Sequence, residues 1–93
     1  MIDGYIKEKN IENLDEREKE IELIKNIIMT KNEIKNANKN FEYAQDELVD
    51  YYIYQIKANQ AKLNYLIRLA KIKGITVDMV NDIKYRLLNE EVG

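Results

Sequence analysis

The stretch Val49-Asp50-Tyr51-Tyr52-Ile53-Tyr54-Gln55-Ile56-Lys57-Ala58-Asn59-Gln60-Ala61-Lys62-Leu63-Asn64-Tyr65-Leu66-Ile67-Arg68-Leu69-Ala70-Lys71-Ile72-Lys73-Gly74 decides the fold. Val49, Ile53, Ile56, Leu63, Ile67 and Ala70 recur at helical spacing as one apolar stripe, with Tyr52 and Leu66 beside it. Tyr54, Ala58, Ala61, Tyr65 and Ile72 form a second stripe, with Leu69 beside it. At about 100° per residue the two stripes lie roughly 150° to 180° apart. Two polar strips separate them: Asp50, Lys57, Asn64 and Arg68 on one side, Gln55, Lys62 and Lys73 on the other. The spacing predicts a helix over 46–73. A helix apolar on opposite faces cannot satisfy both against one neighbour. Either a third helix or another subunit has to cover the second face, and a solitary copy with that side bare to water removes this ground for association.

Upstream, Leu23, Ile27, Thr30, Ile34, Ala37 and Phe41 follow alternating steps of four and three, with Ile21, Ile24 and Ile28 widening the stripe. This predicts a helix over 11–40 whose apolar side meets a partner helix, as in a coiled coil. Asn13 with Glu16 has capping-box spacing, and Asp15, Glu16 and Glu18 suit the positive end of the helix dipole. Residues 1–10 carry no periodicity and are read as a frayed segment preceding a single domain over 11–93. No Gly or Pro marks the end of this helix. Asn38 and Asn40 terminate helices well and Asp46 is a suitable N-cap, so a break falls within 38–45; a single helix running on through Ala44 and Leu48 is the other option.

Downstream, Gly74 is a left-handed stop after which Ile75 can fold back on Leu69 or Ala70. Thr76 then caps a third helix over 76–89, with Ile75 set to staple against Val80. Met79, Val80, Ile83, Leu87 and Leu88 form its apolar side. The reading is therefore all-α: a long antiparallel hairpin plus a short C-terminal helix, dimerising into a four-helix bundle.

Charge selects the orientation. Residues 1–22 hold eight acids and four bases, whereas 51–77 hold five bases and no acid. Antiparallel packing brings the acidic start of the first helix beside the basic end of the second. The same arrangement is expected to set Lys31, Lys35 and Lys39 against Asp46, Glu47 and Asp50. Exposed pairs contribute only about 0.2–1 kcal/mol each, so they choose a direction more than they stabilise.

The segment from Leu48 to Lys71, followed by Gly74-Ile75, resembles the YaaL-type family of small bacterial proteins. The likeness rests on the acidic start into Leu48-Val49-Asp50, the Tyr- and Ala-bearing helix, the core Tyr65-Leu66-Ile67, and the finish Lys71-Ile72-Lys73-Gly74-Ile75. It covers residues 20–76, and the tail after Thr76 looks like an extension. The resemblance implies a small helical cytosolic protein of bacterial origin with no established activity.

The composition narrows the chemistry. With no His and no Cys in 93 residues, an imidazole base, a thiol nucleophile, a zinc-finger site and a disulfide are all excluded. Glu12, Glu16, Glu18, Glu20 and Glu22 include i,i+4 pairs, but they lie among Lys and Arg and read as a solvated helix face. Gly74 stands alone, so there is no phosphate loop. The chain is read as no enzyme and as needing no cofactor, metal or small-molecule substrate. No apolar run reaches the roughly 20 residues of a membrane span, and with no signal pattern at the N-terminus the expected location is the cytoplasm.

The expected function is a protein–protein interaction or structural module. Tyr54, Ala58, Ala61, Tyr65 and Ile72 are its contact surface, toward a second copy or another helical protein. The rival occupant of that stripe is the third helix, which is short beside a helix roughly 40 Å long. Nucleic-acid binding is the alternative of a different class. Lys57, Lys62, Arg68, Lys71 and Lys73 interleave with Tyr, and 69–83 has helix-turn-helix spacing, with Ala70 before Gly74 and Val80 and Ile83 after it. Against it, the five bases divide between two strips, Lys73 sits where that motif wants an apolar residue, and Asp78 and Asp82 would face phosphate.

Overall fold

The computed structural model describes residues 15–92. Three helices follow in order: α1 (Glu16–Phe41), α2 (Glu47–Ile72) and α3 (Val77–Val92). The expected start at Ile11, the cap at Asn13 and the frayed segment 1–10 lie outside the described residues. Asp15 takes the capping role: its side chain accepts a hydrogen bond from the Glu18 amide at 2.7 Å, satisfying one of the unpaired donors of the first turn.

The break between α1 and α2 falls at 42–46, slightly later than expected. Asn38 does not terminate α1; it stays helical and its side-chain amide donates to the Ile34 carbonyl at 3.0 Å. The Tyr43 and Ala44 amides close the helix end on the carbonyls of Asn40 and Phe41, both at 3.1 Å. Asp46 stands at the N-cap position of α2, yet its side chain makes no capping bond there. Its backbone has φ 55° and ψ −131°, outside the left-handed helical well and in a region that favours Gly. With neither Gly nor Pro in the turn, Asp46 supplies the reversal. The Leu48 and Val49 amides find the carbonyls of Gln45 and Asp46 at 3.1 Å instead.

The turn from α2 to α3 is a Schellman motif. The Ile75 amide donates to the Ala70 carbonyl at 2.9 Å and the Gly74 amide to the Lys71 carbonyl at 3.2 Å, with Gly74 at φ 74°. Thr76 caps α3 as expected, its hydroxyl accepting from the Met79 amide at 3.2 Å. The Thr76 amide in turn approaches the Met79 sulfur at 3.4 Å, so a thioether fills the place that Glu or Gln holds in a capping box. Ile75 serves both helices at once, since it packs against the α1–α2 core and against the α1–α3 core.

Two clusters make up the interior. Leu23 and Ile27 of α1 meet Leu66 and Ala70 of α2, with Leu63, Leu69 and Ile75 packed around them. Ile24 and Ile28 of α1 meet Ile83 of α3, with Ile21, Met79, Val80 and Leu87 around them. Thr30 is also buried and spends its hydroxyl on the Asn26 carbonyl at 2.7 Å, leaving no orphan polar atom. The antiparallel direction is confirmed at the open end of the hairpin, where Lys73 meets Glu16 at 3.8 Å.

The lysine row behaves differently. Among the described residues no ion pair joins Lys31, Lys35 or Lys39 to Asp46, Glu47 or Asp50. At about 100° per residue, Lys31 and Lys35 lie on the Ile24–Ile28 side of α1. They line hollows beside Lys84 of α3 and point away from α2.

Candidate functional site

The placement of α3 determines what is left open. Its apolar side lies on the Ile21–Ile24–Ile28 flank of α1 rather than along α2. The helix sandwiched between two neighbours is therefore α1, and the two-sided helix read from the sequence, α2, is covered on one side only. Val49, Tyr52, Ile53, Ile56, Leu63 and Ile67 are half-buried toward α1, and Leu66 and Ala70 are buried. Leu69, set beside the outer stripe by its spacing, belongs to the inner cluster.

All five predicted site residues lie on the outer face. Tyr54 is 68% exposed, Tyr65 54% and Ile72 81%, and Ala58 and Ala61 between them are exposed as well. Helical spacing brings Tyr54, Ala58, Ala61 and Tyr65 onto a continuous row about 16 Å long, with Ile72 two turns further on. The alanines make a shallow saddle, and the tyrosines form a rim with hydroxyls able to bond water or a partner. This solitary chain folds with the row bare to water, so the need to cover both faces does not by itself require a second subunit.

Two further residues are exposed, Tyr51 beside the row and Leu48 on the Leu66 side of the helix by helical phase. Leu48 (53%) and Tyr51 (55%) stand near the start of α2, with Tyr51 held edge-on against Tyr52 at 5.0 Å between ring centres. Both are apolar letters within an apolar run, and only the position of α1 separates them from their buried neighbours. Charges flank the row: Asp50 and Arg68 border one side and Lys62 the other, all exposed. Arg68 and Lys71 line an open hollow with Ala61, Asn64 and Ile67, whereas Lys57 borders a separate one with Asn38, Phe41, Ile53 and Ile56. The bases are thus dispersed along the helix. Over 69–83 the outward residues Asp78, Asn81 and Asp82 are exposed, and Asp82 is paired with Arg86 at 3.2 Å.

A groove of about 470 Å³ runs between α1 and α3, with Ile28, Met29, Leu87 and Leu88 as apolar lining and Lys25, Lys35 and Lys84 at its edges. The α1 carboxylates are scattered around the helix, Glu20 half-buried and Glu16, Glu18 and Glu22 exposed: Glu16 pairs with Lys19 at 3.7 Å as well as with Lys73, and Glu22 pairs with Lys25 at 3.9 Å. Glu12 lies outside the described residues. Among the described residues, no helix is long and apolar enough to cross a membrane.

Among the described residues, the fold is three helices whose central feature is an uncovered aromatic face. The chain belongs to the family described as "Protein of unknown function (DUF2508)", whose model matches residues 6–77. This agrees with the YaaL-type resemblance and extends it toward the N-terminus. The match ends at the first residue of α3, so nearly all of that helix lies beyond it. No curated protein and no solved structure matches the chain.

Proposed function

We propose that this protein is a non-enzymatic helical interaction module that self-associates through the outer face of α2, two hairpins forming a four-helix bundle. One observation carries the reading. In α2, sixteen of 26 residues are apolar, against nine of 26 in α1, yet α2 buries two of them and α1 five. The more apolar helix is the less covered one. An exposed aromatic row of this kind, rimmed by charge, is typical of an interface core. A second copy is the simplest cover, because a two-fold axis lets one patch serve both sides.

The non-enzymatic reading is supported by the chemistry present. Glu16 and Glu22 of α1 are exposed and paired with lysines, and neither a thiol nor an imidazole occurs in the sequence. In this reading the protein works in the cytoplasm. Against nucleic-acid binding stand the dispersal of the bases and the acidic outward side of α3.

Ala58→Arg and Ala61→Arg place a long cation in the saddle without touching the core. In sedimentation equilibrium at micromolar concentration, the unsubstituted chain is expected at twice its 11.1 kDa. Each variant is expected to shift toward monomer with its helical circular dichroism intact. If neither substitution alters the mass, the outer face is not the contact.

A further inference from the structure

We infer that two copies pair antiparallel through α2, with the two-fold axis passing between Asn59 and Gln60. This rests on the self-association proposed above and specifies its geometry. The row Tyr54, Ala58, Ala61, Tyr65 reads the same from either end in residue type as well as in spacing. Spacing alone would be symmetric in any heptad pattern, and the matching sizes would suit a parallel pair too. The flanking charges separate the two arrangements.

Asp50 and Arg68 lie on the same flank of the row, nearly equidistant from its midpoint, and both are exposed. In an antiparallel pair the same flanks of two helices face one another, so each Asp50 meets the Arg68 of the other copy. The pair forms twice. Lys57 then faces the other copy's Asn64, and Lys62 faces Gln55, with no like charges opposed. A parallel pair in register instead sets opposite flanks against one another, which brings Lys57 toward the other copy's Lys62 and Arg68 toward its Lys73, like charges opposed on both sides. Antiparallel helices also oppose their dipoles.

The small residues suit the same axis. Ala58 and Ala61 at the two-fold let the helices approach closely, near the short end of the usual 8–10 Å separation. Tyr54 and the other copy's Tyr65 fill the widening space on either side. Ile72, the most exposed large apolar residue among those described, is carried to the end of α2 where the other copy's Tyr51 stands uncovered.

The sequence has no cysteine, so introduced ones report without background. Tyr54→Cys and Tyr65→Cys are made separately and oxidised alone or mixed, at a concentration where sedimentation shows the dimer. An antiparallel pair places residue 54 beside the other copy's 65 but about 16 Å from its own counterpart along the axis, beyond disulfide reach. The expected result is a cross-linked dimer in the mixture and none with either variant alone. Independently, Asp50→Arg and Arg68→Asp should each weaken the dimer several-fold, and the double swap should restore it. Cross-linking of Tyr54→Cys with itself overturns the antiparallel pairing. So does a dimer by mass that shows neither the mixed cross-link nor recovery in the double swap; self-association then survives with another geometry. An unsubstituted chain that stays monomeric removes both.

Discussion

The two long helices have equal length and opposite fates. α1 is the poorer in apolar residues, yet it is covered on two flanks, by α2 through Leu23 and Ile27 and by α3 through Ile24 and Ile28. α2 is richer, yet only its inner stripe is covered. Burial here follows side-chain character as much as quantity. The second flank of α1 is a run of isoleucines with no polar end, for which water is a poor environment. The outer row of α2 alternates alanine, with little to bury, and tyrosine, which keeps a hydroxyl in water. Given one short third helix and two candidate faces, the fold covers the isoleucines.

Emptying one side of each helix separates the two most sharply. Ile24→Ala removes a side chain that is 1% exposed and should cost about 2–5 kcal/mol of unfolding free energy. Tyr54→Ala, measured in dilute monomeric protein, should stay within about 0.5 kcal/mol of the parent. Urea titration of the two variants checks this, and equal losses would mean that the outer row is packed. Next in size is Gly74→Ala. A Cβ at Gly74 would meet nothing within 4 Å, so only the left-handed backbone is penalised, at about 1–2 kcal/mol. Smallest is Lys73→Met, which deletes the pair with Glu16. That carboxylate is 78% exposed and the contact is 3.8 Å, so the loss should be under about 1 kcal/mol. A larger loss would mean that the open end of the hairpin is held by charge rather than by Leu66, Ala70 and Ile75.

Much of this was legible in the residues. The helical periods, the Gly74 stop, the Thr76 cap and the antiparallel charge bias all act within a few residues or through net charge, and each reappears in the structure. The placement of α3 was not legible, because both flanks offered apolar residues at helical spacing and nothing local chooses between them. The same ambiguity hid the destination of Lys31 and Lys35, which follows from where α3 lies. Asp46 illustrates a different limit: its residue type suits a cap, but the turn required a positive φ there, and the side chain left the capping position. The five residues of the outer row were legible as a face. What the pattern withheld is that the face stays open within one chain.

Tyrosine ring accessibility, followed by NMR with a soluble nitroxide from dilute to concentrated protein, tests the self-association face most directly. Tyr43 and Tyr85 lie off the row and are 79% and 65% exposed, so they serve as internal controls. On concentration, the Tyr54 and Tyr65 rings are expected to become protected from the nitroxide while Tyr43 and Tyr85 stay accessible, with dilution reversing the change. Equal accessibility of all four rings at every concentration would contradict the account.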